Sequence, residues 1–370
     1  MTKDSKIYVA GHRGLVGSAI VNALKQKGYK NFVFTPHADF DLRNQKTVQD
    51  FFSKEKPDYV FLAAAKVGGI LANTTYRADF IYDNLQIQNN IIHQAYVNNV
   101  KKLIFLGSSC IYPKESPQPM REDYLLTDSL EYTNEPYAIA KIAGIKLCES
   151  FNLQYGTDFI SVMPTNLYGR NDNFDLEKSH VLPALIRKLH LAKALSEIDF
   201  AGIRKDISHR PVSGIDASSS NEEITRRLND FGISPEALTI WGTGKPRREF
   251  LHADDLGNAV VELGEKLSFK DILKAKFNIS KPEFPITKSE VRNTHINLGT
   301  GKDISIGELA ELIKTEVVDY KGRIFTNPEK PDGTFQKLLD VSVAENYGIK
   351  AKISLKEGLR QTYAHYCRYE

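Results

Sequence analysis

Tyr137 and Lys141 stand four residues apart, and upstream of them Ser108 follows the apolar run Leu103–Leu106. At that spacing a phenol and an ammonium share one face of a helix, one turn apart. A free phenol has a pKa of about 10 and exchanges protons poorly at neutral pH, whereas a nearby cation stabilises the phenolate. With a serine hydroxyl as a second donor, the set suits proton delivery to a carbonyl oxygen that receives hydride, or the reverse reaction. Tyr137 is the candidate proton donor, Lys141 its tuning cation and Ser108 an oxyanion donor. Cys110, two residues past the serine, is not needed for such a relay. Packing alone also places cysteines after strands, and Cys148 and Cys367 are read that way.

A relay of this kind needs a redox cofactor, and the first forty residues offer a place for one. Gly11-His12-Arg13-Gly14-Leu15-Val16-Gly17 directly follows the strand-like Ile7–Ala10 and opens a helical pattern. Glycines there permit a tight turn, close approach to a pyrophosphate and helix–sheet packing, and the helix N-terminus offers free amides to phosphate. The end of the second strand carries no immediate carboxylate for a ribose 2′-hydroxyl; Phe34 is followed by Thr35, Pro36, His37, Ala38 and Asp39. Arg13, assisted by His37, is instead suited to a 2′-phosphate, so NADP(H) is the expected cofactor. Asp41-Leu42-Arg43 fits an adenine shelf. The small residues of Ala63–Gly69 fit a wall on the nicotinamide side, and Lys141 is placed to hold the nicotinamide ribose.

Strand-like runs at Ile7–Ala10, Phe32–Phe34, Tyr59–Ala63, Leu103–Leu106 and Phe159–Val162 alternate with helical periods at Leu15–Lys27, Thr47–Lys54, Phe80–Asn98 and Ala138–Gln154. That alternation predicts an α/β fold with a Rossmann-type, doubly wound parallel sheet. The segment Phe80–Asn98 is apolar on more than one face, so it packs deep or meets a partner chain. Beyond Gly169 the pattern loosens. The polar stretches 196–235 and 270–291 are expected as surface additions, the first with an N-cap at Ser218–Asn221 before a helix at Glu222–Phe231. A strand at His295–Leu298 and an amphipathic helix at Ser305–Val317 come late.

With 370 residues the chain has room for two domains. It carries 49 basic against 46 acidic residues, a net charge of +3 that gives no support for a nucleic-acid partner. Three cysteines make no disulfide framework. A strand begins almost at once, and no apolar run nears the roughly 20 residues of a membrane span, so a cytoplasmic, non-membrane protein is expected.

Longer runs carry a resemblance: VAGHRGLVGSAI (Val9–Ile20), LAAAKVGGI (Leu62–Ile70), LGSSCIYPK (Leu106–Lys114), NEPYAIAKIAGIKLCE (Asn134–Glu149) and MPTNLYG (Met163–Gly169). Later come Ser179-His180-Val181, WGTG from Trp241, REFLH from Arg248 and KPDGT from Lys330. The chain resembles the GDP-L-fucose synthase family of extended short-chain dehydrogenases/reductases. The resemblance implies 3,5-epimerisation of GDP-4-keto-6-deoxy-D-mannose followed by reduction at C4 with NADPH. It puts the epimerase pair at Cys110 and His180. Hydrogens at C3 and C5 are both α to the C4 carbonyl, so the enolate oxygen meets the same donors, Ser108 and Tyr137. Cys110, with an ordinary pKa of about 8.5, serves as base if a cation lowers it, and His180 supplies a proton.

The resemblance also implies substrate contacts at Lys188, Trp241, Arg248 and Asp332, and cofactor contacts at Leu106, Gly107, Ser108, Ser109, Pro164, Thr165, Asn166, Leu167 and His180. It implies a cofactor domain over 1–175, with segments near 249–262 and 293–300 returning to it. A smaller sugar-nucleotide lobe takes 176–370, with an insertion near 196–235. A homodimer through Phe80–Asn98 and Ala138–Gln154 is implied, and no metal. Two departures stand out: the two polar stretches lengthen the chain, and the second strand's end lacks the arginine many relatives carry there. An NAD-dependent 4-epimerase or 4,6-dehydratase of the same fold is the alternative. Dehydratases carry an Asp-Glu pair where this chain has Ser109-Cys110.

Overall fold

A computed structural model describes residues 1–35, 40–330 and 332–368. The first half alternates β1 (Ile7–Ala10), α1 (Leu15–Gln26), β2 (Phe32–Val33), α2 (Gln45–Glu55), β3 (Tyr59–Leu62), α3 (Ile70–Thr75), α4 (Arg77–Val97), β4 (Lys102–Leu106), α5 (Glu135–Tyr155) and β5 (Phe159–Pro164). Then come β6 (Asn166–Tyr168), α6 (Val181–Ser196), α7 (Phe200–His209), α8 (Asn221–Asp230), β7 (Ala237–Trp241), β8 (Arg247–His252), α9 (Ala253–Lys266) and α10 (Phe269–Phe277). The chain ends with β9 (Ile296–Leu298), β10 (Asp303–Ser305), α11 (Ile306–Ile313), β11 (Arg323–Asn327), β12 (Gln336–Lys337), α12 (Ser342–Asn346) and α13 (Leu355–Tyr366).

Six strands pair in parallel in the order β2-β1-β3-β4-β5-β9. Their residues are mostly apolar and almost all buried because helices cover both faces of the sheet. Alternate side chains divide between two cores. Ile7, Val9, Ile104 and Val162 meet α1 and α9 through Ile20, Leu24 and Val260. Tyr8, Leu103, Phe105 and Met163 meet α2, α4 and α5 through Phe52, Ile91, Ile145 and Cys148. Cys148 is thus a core residue, as expected. The strand order reverses between β1 and β3, and the crevice beyond their carboxyl ends is where such sheets take ligands.

A second core gathers α6, α7, α8, α11, α13 and the parallel pair β7–β11. The stretch 196–235 belongs to it, contrary to the expectation of a surface addition. Ile203 and Ile207 of α7, Ile224 and Leu228 of α8, and Ile233 are all buried there. Each helix is short and spends one two-residue stripe on the core, so its composition reads as polar. The helix start was legible: Ser220 and Glu223 form a reciprocal capping box. Asp206 is also buried, held by Arg187 at 2.8 Å and Arg210 at 3.1 Å. The other polar stretch closes a small core in which Phe284 and Ile286 pack with Phe269, Leu273 and Val291. Between the sheet and the second core lies β8, paired with β6, β10 and β12.

Candidate active site

The glycine loop is built by close approach. Gly11 has φ of +83°, and a Cβ on it would lie 2.8 Å from the backbone nitrogen of Ala64 at the end of β3. A Cβ on Gly17 would lie 2.1 Å from the Gly11 carbonyl oxygen, so α1 starts against the loop only because that residue is glycine. Gly14 differs: its Cβ would meet only the Gly11 oxygen, at 3.5 Å. Its outer face is open, as a phosphate-bearing cofactor on the first turn of α1 requires. Leu15 and Val16 supply the next amides of that turn. Arg13 is exposed, and the His12 ring lies 4.6 Å from that of Phe34, its pKa lowered by burial and by Arg13. Asp41 is engaged by Arg43, which also reaches Asp83 at 3.2 Å. Pro36–Asp39, with His37, lie outside the described residues.

Lys141 is buried and donates to the Leu106 carbonyl at 2.8 Å; its ammonium is 5.7 Å from the Tyr137 ring centre. Ser108 begins a tight turn over Ser109–Ile111 and accepts the Cys110 N–H at 3.4 Å. Gly107 lets this turn lie on β5, since a Cβ there would be 2.3 Å from the Met163 sulfur. Ser108 is close enough for its hydroxyl to favour the Tyr137 phenolate, and Cys110 is close enough for its charge to act on both Tyr137 and Lys141. Four residues expected together are therefore together.

Their electrostatics differ in one respect from expectation. Burial, with Cys110 adding to it, pushes the Tyr137 phenol above its ordinary value, against the Ser108 hydrogen bond. Lys141 does not reverse that balance; burial pushes its own pKa down to about 8. Burial also raises the Cys110 thiol, opposed by Ser108, Lys337 and Lys141. The protein around His180 lowers its pKa, although its surface remains open to solvent. Near neutral pH these shifts favour a thiol at Cys110 and a neutral imidazole at His180.

His180 enters from the second core as the N-cap of α6, with its side chain not used for capping. Among the described residues it hydrogen-bonds none of the other four. Opposite the sheet, Thr165 donates to the Glu249 carbonyl at 3.2 Å, as does Asn166 at 2.8 Å, after Pro164 ends β5. Leu167 packs on the sheet core. Trp241 is exposed at the end of β7, with the Lys330 ammonium 5.5 Å from its ring. Asp332 holds the next turn, accepting from the Thr243 N–H at 2.6 Å and its hydroxyl at 2.8 Å. Arg248 lies deep on β8, where burial lowers its pKa and Asp332 opposes that. Lys188 is buried and donates to the Phe231 carbonyl at 3.1 Å, with its pKa pushed down to about 8 by burial.

Two residues escaped the sequence reading. Lys337 pairs in register with Arg248. Gln336 and Arg247 both bond Asp303, at 2.6 and 2.8 Å, so alternation sends Lys337 and Arg248 to the opposite face. There the Lys337 charge acts on Cys110, with Glu131 and Arg248 acting on it in turn. Like Lys141, it opposes the burial that raises the thiol. The second is Glu249, fully buried, whose carboxylate accepts from Thr300 N at 2.5 Å, Gly301 N at 2.8 Å and Leu339 N at 2.9 Å. Only its place between Arg248 and Phe250 in the REFLH run hinted at it.

The family model described as "NAD dependent epimerase/dehydratase family" matches residues 7–207 and 216–279. GDP-L-fucose synthase 1 of Arabidopsis thaliana is 50% identical over 99% of this chain and 94% of its own length. GDP-L-fucose synthase of Escherichia coli K12 is 46% identical over 97% and 95%. A solved Campylobacter jejuni structure, a GDP-D-glycero-L-gluco-heptose synthase in the presence of NADPH, superposes with a TM-score of 0.88 at 44% identity, covering 99% of each chain. Glycine cradle, relay and full-length likeness converge: the chain belongs to the NAD dependent epimerase/dehydratase family and, within it, to the family of GDP-L-fucose synthases.

Proposed function

We propose that this chain converts GDP-4-keto-6-deoxy-D-mannose to GDP-L-fucose, by epimerisation at C3 and C5 and then reduction at C4 with NADPH. The observation that carries the reading is the gathering of Ser108, Cys110, Tyr137 and Lys141 at the carboxyl end of β4, with the Lys337 charge on the thiol. Ser108 and Tyr137 donate to the C4 oxygen. A base takes the proton at C3 or C5: the C–H bond breaks and its electron pair passes into an enolate on that oxygen. A proton returned from the other face restores the ketone with inverted configuration. Cys110 as thiolate and His180 as imidazolium stand in these two roles, a form with as many protons as the thiol and neutral imidazole that predominate. Lys337 favours the thiolate, and afterwards solvent returns a proton to His180 and takes up the one Cys110 has gained. Bound NADPH supplies hydride to C4. Tyr137 then delivers its proton to the alkoxide, and Lys141 supports the phenolate left behind.

Gly11–Gly17 hold the pyrophosphate, Arg13 the 2′-phosphate, and Leu106–Ser109, Lys141 and Pro164–Leu167 the nicotinamide half. Arg248 faces the diphosphate and Trp241 the nucleotide or sugar, while Lys188 and Asp332 shape the second lobe around them. Residues 1–175, with 249–262 and 293–300, form the cofactor domain, and most of the remainder reads the sugar nucleotide. Among the described residues no helix is long and apolar enough to cross a membrane. The protein works in the cytoplasm as a homodimer, without nucleic acid.

Mixing the keto-sugar nucleotide with NADPH in heavy water should oxidise the cofactor and label C3 and C5. Oxidation without label removes the epimerase half, and no oxidation removes the whole reading. The likeness to the Campylobacter heptose synthase favours a second reading, a GDP-linked keto-heptose substrate. A higher kcat/KM for the heptose nucleotide in the same assay would select it.

A further inference from the structure

Gly68 and Gly69 follow β3 and face different neighbours. A Cβ on Gly68 would lie 2.9 Å from the Ala72 Cβ and 3.2 Å from the Phe80 ring, inside its own half of the molecule. A Cβ on Gly69 would lie 2.8 Å from the Ser179 carbonyl oxygen and 3.2 Å from that of Lys178. The Gly69 N–H donates to the Lys178 carbonyl at 3.1 Å. With φ −70° and ψ −178°, Gly69 has a conformation open to any residue, so only the facing backbone demands glycine. Asn73 fixes this loop from behind, its amide donating to the Gly68 carbonyl at 2.7 Å and the Gly69 carbonyl at 3.0 Å.

The backbone that Gly69 touches leads straight into His180. Ser179 is tied back to Asp175 through its N–H at 3.3 Å, and the His180 carbonyl accepts the Ala184 N–H as α6 begins. The imidazole therefore hangs on a short segment clamped between the helix and the Gly69 loop. We propose that Gly69 is a positioning residue: its missing side chain lets the loop ending β3 abut Lys178–Ser179, and that strut sets the His180 imidazole over the cleft. This rests on the reading that His180 moves a proton in epimerisation. An error of about 1 Å in a reacting group costs on the order of 100-fold in rate, and a Cβ forced against the Ser179 carbonyl shifts the segment on that scale.

Gly69→Ala and Thr74→Ala are compared in the full-length enzyme loaded with NADP+. The His180 imidazole signal, assigned by its loss in His180→Gln, is followed by NMR through a pH titration without sugar nucleotide. Label incorporation at C3 and C5 is measured separately. Gly69→Ala should move the imidazole signal and cut labelling at least about tenfold. Thr74→Ala, which removes only an exposed hydroxyl bonded at 2.9 Å to the Ile70 carbonyl inside α3, should leave signal and labelling unchanged. Asn73→Ala, which loosens the loop without adding volume, should move both in the direction of Gly69→Ala, and it serves if that variant does not fold. An unmoved signal in both Gly69→Ala and Asn73→Ala overturns the strut, and so does an equal effect from Thr74→Ala. A moved signal in a protein whose parent incorporates no label supports the strut and overturns the catalytic reading of His180 instead.

Discussion

Cys110 and Lys141 act on each other's proton affinity across a buried surface, and Lys337 adds a second cation to the thiol's surroundings. Burial outweighs both cations, so removing one raises the thiol pKa further. In Lys337→Met the pH midpoint for alkylation of Cys110 by iodoacetamide should rise by about one unit, while Lys337→Arg stays near the parent. A substrate contact alone would instead raise KM and leave that midpoint in place. For Lys141 the sign is different. Its pKa lies at about 8, so the ammonium is present below that pH and lost above it. Hydride transfer that needs the cation beside Tyr137 should decline as pH rises through about 8. Lys141→Met should lose roughly 100-fold or more in kcat at pH 7 and show no such decline.

At the scale of elements, the parallel strands were legible because both their faces are buried and their runs are almost wholly apolar. β1 to β5 fall within two residues of their expected bounds at either end. In the second core α8 and α11 were legible as helices, but the burial of α7 and α8 was not, because each buries one stripe and hides it in a polar composition. The relay was legible too, since Ser108, Tyr137 and Lys141 share a local order along the chain. Lys337 was not, because only the pairing of β12 with β8 brings it to Cys110. The glycine loop yields a prediction in which the fold and the ligand separate. Gly17→Ala drives a Cβ into the Gly11 carbonyl and should lower both the melting temperature and NADPH affinity. Gly14→Ala meets only an ordinary contact within the protein. It should keep the melting temperature within a few degrees yet weaken NADPH binding at least about tenfold in a fluorescence titration. Equal melting losses in both would show that Gly14 serves the fold.

At the scale of the whole molecule, β8 joins the parts. Its Glu249 carboxylate ties the loop after β9 to the chain after β12, and its partners reach both the sheet side and the second core. Glu249→Ala leaves three backbone N–H groups without their acceptor and should cost about 3 kcal/mol or more, read from urea unfolding. The outer face of α4 and α5 poses a different problem. Those helices pack on each other and still present Tyr82 at 60% exposure, Val97 at 51%, Ile139 at 42% and Tyr155 at 48%. Side chains so exposed contribute little to the monomer, and replacing one changes its stability by about 0.5 kcal/mol or less. A charge placed in an apolar dimer interface is far more costly, because it is desolvated without a partner. Tyr82→Glu and Ile139→Glu should therefore leave the melting profile of a dilute sample nearly unchanged. In sedimentation equilibrium at micromolar concentration the parent should behave as a dimer and each variant shift towards the 41.7 kDa chain mass. A parent at that mass, or variants that remain dimers, would place any assembly away from these two helices.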